Sequence, residues 1–314
     1  MSKPILTLTV NPALDRIISV DRLVFEDRAY IESTTEAAGG RGINAARVLT
    51  SFGAETVAIT ASGGENGLSF EKHLEDDRFA KEIVKIHNNI RINLTISDRQ
   101  GLSIKLNEIG PALSAAEQKS VINATGKLLP KASWLMLCGS VPPGMDLHFY
   151  TKLIELAAKH KVQTLLDTDG DALLHGLEAK PTIVKPNQSE AERLLNTALI
   201  TRSQQIDAVQ RIKALGPQSV VLSLGSRGVI AATSTEGILE VIPPPVDARC
   251  PIGAGDAMSA VIVWSLHQGS SFSDALRWGV AVGTATSKLP GITLANLEQA
   301  KELLPQVQIT RIVL

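Results

Sequence analysis

The sequence predicts an α/β protein: a doubly wound, mostly parallel sheet with helices on both faces, accompanied by a small separate β-sheet. Short β-branched runs alternate with longer segments whose apolar residues recur every three or four positions, which is strand and helix in turn. One segment, residues 90–96, departs from that pattern. It sets Ile90, Ile92, Leu94 and Ile96 between Arg91, Asn93 and Thr95, a strand with one wet face.

In chain order, strands are expected at 5–10 (ILTLTV), 56–60 (TVAIT), 134–138 (WLMLC), 162–167 (VQTLLD), 182–185 (TIVK), 219–224 (SVVLSL) and 228–233 (GVIAAT). Between several of them lie stretches of helical period such as HFYTKLIELAAKHK at 148–161. Residues 97–101 supply turn chemistry and 103–107 alternate again, so 90–107 reads as a β-hairpin. Residues 14–35 are extended in character and should pair with it. The expectation is a single domain over 1–314, with the small sheet drawn from about 13–35 and 88–109. A sheet with one apolar face needs a cover, either the main domain or a second subunit. Ligands of doubly wound sheets sit beyond the carboxyl ends of the strands, so chemistry is sought there.

Composition removes several functions. With 31 Lys and Arg against 32 Asp and Glu, the formal charge is -1, and no basic run offers a patch for nucleic acid. Apolar stretches are interrupted before the ~20 residues of a membrane span. Two cysteines, Cys138 and Cys250, are too few for a disulfide framework and read as reduced core thiols. The N-terminal stretch lacks a signal-peptide pattern, which makes a soluble, cytoplasmic protein the expectation. The six histidines (73, 87, 148, 160, 175, 267) show no metal spacing and read as surface or capping residues.

The sharpest motif is Ile252-Gly253-Ala254-Gly255-Asp256, followed at once by the apolar stretch 257–266. Small residues let backbone N–H groups converge at a helix start, where the helix dipole adds positive character; that is an anion hole. A carboxylate there is repelled by a bound anion unless it has work to do. Accepting a proton from an attacking hydroxyl during phosphoryl transfer is such work. Asp is also a favoured N-cap, and on the residues alone both readings stand.

A second cluster, Gly39-Gly40-Arg41-Gly42-Ile43-Asn44, leads into a helix and contains a literal G-x-G-x-x-A match from Gly40 to Ala45. The preceding STTEA makes a poor strand and no acidic strand end follows about twenty residues on, so a dinucleotide fingerprint is rejected. Glycines that admit a polyhydroxylated ligand, with Asn44 bonding hydroxyls, explain it as well. The Walker signature is absent. Lys185 ends a buried strand, where an unpaired ammonium is costly and a polyphosphate would satisfy it. Asn187 and Glu190 suit a hydrated magnesium ion, or else a helix cap. Ser140 follows a strand in a ligand-binding or plain turn, Asp15 ends one as a ligand or a cap, and Arg91 lies on the hairpin's wet face, where a solvated charge is the plain alternative.

Seven segments in order, NPALD, AGGRGINAAR, RINLTI, CGSVPPG, VKPNQSE, SLGSRG and IGAGDAMSA, resemble the PfkB-type, ribokinase-like sugar kinases over the whole chain. The phosphosugar branch is the nearest in pattern: 1-phosphofructokinase, minor-type 6-phosphofructokinase and tagatose-6-phosphate kinase. The resemblance implies a ribokinase-like fold whose small sheet is a lid, often paired between subunits, and hence a homodimer. It implies Asp256 as catalytic base, with the amides of Gly253, Ala254 and Gly255 as the anion hole. It implies Asp15, Gly39, Gly40, Asn44 and Ser140 around the sugar, and Arg91 on its phosphate, with Arg41 and Arg28 as helpers. Lys185 would meet ATP phosphates, Ser223, Gly225 and Gly228 would border the nucleotide, and Asn187 and Glu190 would organise Mg2+ through water.

One departure is Arg249-Cys250-Pro251-Ile252, where many members carry Ser-Thr-Val; Pro251 removes a donor and a hydroxyl beside the glycines and bears on a monovalent-cation site nearby. The expected reaction is ATP-dependent phosphorylation of a ketohexose phosphate, with fructose 1-phosphate favoured by RINLTI and by Gly291-Ile292-Thr293. The 6-phosphofructokinase and tagatose-6-phosphate kinase reactions are the alternatives, and a non-catalytic sugar-phosphate sensor is a remote one.

Overall fold

A computed structural model describes residues 3–24 and 26–313; Met1, Ser2, Phe25 and Leu314, which the expected domain and lid ranges include, lie outside the described residues. β1 (Ile5–Thr9) starts the central sheet, and β2 (Ala13–Val20) and β3 (Ile31–Gly39) leave it for a smaller one. α1 (Arg41–Ser51), β4 (Thr56–Ser62), α2 (Gly64–His73) and β5 (Ala80–Lys85) return to the large sheet, and β6 (Arg91–Asp98) and β7 (Ser103–Asn107) form the hairpin. Strand and helix then alternate through α3 (Ala115–Leu128), β8 (Trp134–Cys138), α4 (Phe149–Lys159), β9 (Gln163–Asp167), α5 (Gly170–Glu178), β10 (Ile183–Val184), α6 (Gln188–Leu195), α7 (Arg202–Ala214) and β11 (Ser219–Ser223). β12 (Val229–Thr233), β13 (Gly237–Ile242), α8 (Ala254–His267), α9 (Phe272–Ser287), α10 (Leu297–Leu303) and β14 (Gln308–Ile312) complete the chain.

The large sheet has ten strands in the order β14-β13-β12-β11-β10-β9-β8-β1-β4-β5. Every pairing from β11 to β5 is parallel, and β12, β13 and β14 add an antiparallel flank. The chain runs from β1 outward through β4 and β5, then returns to build the other side from β8. That reversal opens a crevice at the carboxyl ends of β1 and β8. One core packs α3, α4, α5 and α7 on one face, and a second packs α1, α8, α9 and α10 on the other. α8 is buried all round from Ala257 to Val263, with Ser259 the one polar residue of that stretch, because it is covered on every side. Fully burying each of its valines and Ile262 is worth about 1.5–3 kcal/mol before entropy is counted.

The small sheet has the order β3-β2-β6-β7. Directly paired residues share a face, so Asp15 opposite Asn93, Ala13 opposite Arg91 and Thr95 opposite Lys105 define a polar side. Leu94 opposite Leu106 and Ile96 opposite Ile104 define the apolar side, where Leu106 remains 53% exposed.

The structure corrects several expectations. STTEA lies inside β3, an exposed strand of the small sheet that needs no apolar residues to hold its pairing with β2. It feeds α1 from outside the parallel sheet, so the dinucleotide reading fails on topology instead. β10 is two residues long because the chain turns after Val184, and β5, β13 and β14 are strands without a matching expected run. Cys138 is a buried thiol, but Cys250 is only half-buried in the turn before α8. His148 lies far in sequence from His175 and Glu178, and the three are brought together where α4 meets α5. No helix among the described residues is long and apolar enough to cross a membrane.

Candidate active site

The strand ends at the crevice each deliver one polar group. Asn11, just past β1, donates through Nδ2 to the Ser140 hydroxyl (3.2 Å) and to the Ile109 carbonyl (3.0 Å), joining the turn after β8 to the end of the hairpin. Its Oδ1 is buried without a partner, as is Oδ1 of Asn93. Asn93 Nδ2 donates to Asp15 Oδ1 (2.8 Å). A Cβ at Gly39 would lie 2.1 Å from Asp15 Oδ2, so only glycine lets this carboxylate fold against the strand. Burial raises the Asp15 carboxyl above its usual range against the bond from Asn93. Arg91 donates through Nη1 to the Glu108 carbonyl (3.1 Å), while its buried Nε has no partner. Burial holds its pKa down against the nearby Asp15. Orphaned donors and acceptors on one wall, with an arginine among them, are the chemistry of a polar, anionic ligand pocket.

Behind this wall lies a charge cluster centred on Asp167, the last residue of β9. Its carboxylate accepts from Lys185 Nζ (3.0 Å), Arg41 Nη1 (3.0 Å) and the Ser259 hydroxyl (2.6 Å). Burial pushes its pKa up, but Lys185, Arg41 and that hydroxyl outweigh burial and leave it lowered. Lys185 is therefore a buried, paired ammonium, not the unpaired one that strand-end reasoning expects. Arg41 also pairs with Asp169 and Glu190, each at 3.2 Å. Asn187 and Glu190 form the reciprocal cap of α6: Asn187 Oδ1 accepts from Glu190 N (2.9 Å) and Glu190 Oε2 from Asn187 N (2.8 Å).

Asp256 is the third residue of α8 and does not cap it. The N-cap is Gly253, left-handed at φ 78° and without a side-chain bond, which excludes the capping alternative for Asp256. Among the described residues the N–H groups of Gly253 and Gly255 have no partner, whereas Ala254 N–H donates to the Pro251 carbonyl (3.2 Å), so the expected three-amide hole has two free donors. Asn44 Nδ2 donates to Asp256 Oδ2 (2.8 Å). Burial, with Asp167 as a second cause, pushes the Asp256 carboxyl from 3.8 up to about 6, opposed by Asn44, Arg41 and Lys185. Lys185 Nζ stands 3.8 Å from where a Gly255 Cβ would be, which sets the ammonium at the helix start.

On the far side of that start is a cleft of about 580 Å³, lined by Asn187, Ser223, Gly225 and Gly228 together with Pro243, Val246, Ala254, Gly255, Met258, Val280 and Gly283. Its mostly apolar wall suits a flat aromatic ring, and its Gly255 edge adjoins Asp256. A Cβ at Gly228 would meet the Val241 carbonyl at 2.0 Å, so glycine is required there. Asp256 thus stands between a polar pocket and an apolar cleft. Arg28 stays exposed on the β2–β3 connection, and its guanidinium has no contact with the cluster among the described residues. Sequence reasoning missed Asp167, Asn11, Asn93 and the Pro243–α9 wall. A carboxylate closing an apolar strand signalled Asp167, and its shared face with Arg91 signalled Asn93; nothing local marks the wall.

The family profile described as pfkB family carbohydrate kinase matches residues 9–299. The chain is 30% identical over 302 residues to an ATP-dependent 6-phosphofructokinase isozyme 2 of Escherichia coli, covering 95% of this chain and 97% of the relative. It is 29% identical over 305 residues to a 1-phosphofructokinase of Borreliella burgdorferi, covering 97% and 98%. The crystal structure of phosphofructokinase-2 from Escherichia coli in complex with potassium superposes with a TM-score of 0.91 at 29% identity, covering 97% of this chain and 99% of that one.

Proposed function

This chain belongs to the pfkB family of carbohydrate kinases, and from that premise we propose that it transfers the γ-phosphoryl group of ATP to a hydroxyl of a phosphorylated ketohexose, with fructose 1-phosphate the preferred acceptor. It is a phosphotransferase with an alcohol acceptor. The observation that carries the reading is Asp256, a carboxylate poised at about 6 between the polar pocket and the apolar cleft. A general base serves best when its pKa lies near the working pH.

In this reading the sugar hydroxyl attacks the γ-phosphorus, its proton passes to Asp256 Oδ, and the bond to the bridging oxygen breaks with its electron pair leaving on ADP. The N–H groups of Gly253 and Gly255 and the ammonium of Lys185 face the migrating group, where fixed donors in a dry site act most strongly. Asn44 holds Asp256 in place. Asp15, Asn11, Asn93 and Ser140, with room made by Gly39 and Gly40, bond the sugar, and Arg91 takes its phosphate. Ser223, Gly225 and Gly228 border the nucleotide. The lid closes over the acceptor and excludes water that would otherwise compete. Its exposed apolar face pairs with a second copy to make a dimer. The reaction belongs in the cytoplasm, where ATP is made.

The residues fit a divalent ion. Asp167, Asp169, Glu190 and Asp256 surround Arg41 while Lys185 is the other cation bonded to Asp167, an excess of negative charge that would repel ATP unless a cation accompanies it. Asn187 and Glu190 would hold Mg2+ through water, and the ion would neutralise phosphate charge. No step is assigned to a monovalent ion: the Ser287 carbonyl already accepts from Arg249 and Cys250 of the segment before α8, while the Pro251 carbonyl, which accepts from Ala254, keeps one lone pair.

Coupled ADP release tests the proposal with fructose 1-phosphate, fructose 6-phosphate, tagatose 6-phosphate and unphosphorylated fructose. The highest kcat/KM is expected for fructose 1-phosphate. A higher value for a 6-phosphate overturns the acceptor, and a preference for free fructose overturns the phosphosugar class.

A further inference from the structure

We propose that His148, His175 and Glu178 form a surface site for a divalent transition-metal ion, with zinc as its natural occupant, outside the kinase centre. His148 is the residue before α4, and His175 and Glu178 lie one turn apart on α5. Their donor atoms all fall within 4.8 Å of one another. His175 Nδ1 is 3.0 Å from Glu178 Oε1, and His148 Nδ1 is 3.6 Å from Glu178 Oε2. Two ligands on a tetrahedral zinc ion at 2.0–2.1 Å stand roughly 3.3 Å apart. The two histidine–carboxylate separations bracket that figure and the two imidazole donors lie within 4.8 Å of each other, so side-chain adjustment alone seats an ion.

The donor set decides the class of metal. Two imidazoles and one carboxylate suit zinc and its neighbours, whereas magnesium and calcium prefer oxygen alone. The backbone is already fixed: the Thr151 hydroxyl donates to the His175 carbonyl (2.8 Å), tying α4 to α5, and His148 N donates to Asp146 Oδ1 (2.9 Å). Side-chain exposures of 48% for His148 and 54% for Glu178 leave the remaining coordination positions open to water. A bound ion would clamp the start of α4, which ends the turn carrying Ser140, to the end of α5, whose first residues adjoin Asp169. The plain alternative is a pair of histidine–carboxylate contacts with no metal affinity.

Equilibrium dialysis of the nucleotide-free protein against zinc, with metal content measured, separates the two. Wild type should retain one ion that His148→Asn/His175→Asn loses, or binds at least roughly tenfold more weakly. Cobalt should give visible absorption bands in wild type that are absent from the double variant. Sugar-phosphate turnover without added zinc should be the same in both, because none of the three residues touches the kinase centre, and Glu178→Gln serves as a second, independent variant. Equal zinc content and affinity in wild type and both variants, or no zinc retained by wild type at 0.1 mM on the order of the weakest useful site, overturns the proposal.

Discussion

Asp256→Asn should leave the folded protein more stable than wild type. The carboxyl is moved from 3.8 to about 6 by folding, chiefly through burial and then through Asp167. At about 1.36 kcal/mol per pKa step, ionising it in the native state costs at most about 3 kcal/mol, less what water at its partly exposed edge recovers. The sign follows from linkage. A carboxyl whose folded pKa is raised costs stability wherever it is ionised, fully above pH 6, and that cost fades as pH falls toward 3.8. Asparagine removes the charge but still offers an oxygen to Asn44 Nδ2, so the 2.8 Å contact keeps an acceptor. Thermal unfolding midpoints of ligand-free protein at pH 8 and pH 4.5 check this: the variant should melt higher at pH 8 and the gap should shrink at pH 4.5. Equal midpoints at pH 8, or a gap that does not close with acid, refute the reasoning.

Three further outcomes follow from the same geometry. Arg91→Ala should raise KM for the sugar phosphate by roughly ten- to a hundredfold, the worth of a charged hydrogen bond, with ATP affinity little changed in a direct titration. Gly39→Ala drives a methyl into the Asp15 carboxylate, given the 2.1 Å approach, and should cost about 1–3 kcal/mol in urea denaturation while weakening acceptor binding. Measured as kcat/KM for ATP at saturating acceptor, activity should fall about tenfold for each pH step below about 6 as Asp256 takes up its proton.

Much of the fold was legible because buried parallel strands announce themselves as apolar runs, as with WLMLC and VQTLLD. The hairpin was equally plain, since its alternation at 90–96 records one wet and one apolar face. β5 and β14 were not, because edge strands carry lysine, glutamate and arginine that blur any pattern. Asp256 was visible from the glycines before it. What sequence could not give was pairing across distance: Lys185 looked unsatisfied because Asp167 reaches it only through adjacent strand ends. Nor could it bring His148 to His175, since helix packing, not spacing along the chain, joins them.

The claim everything rests on is that Asp256 accepts the acceptor's proton. Steady-state turnover of Asp256→Asn, with ATP affinity measured separately on the same protein, tests it most directly. Turnover should drop by about 10²–10⁴-fold, the usual worth of a positioned base, while ATP binds within about twofold of wild type. A variant that turns over at close to the wild-type rate contradicts the account.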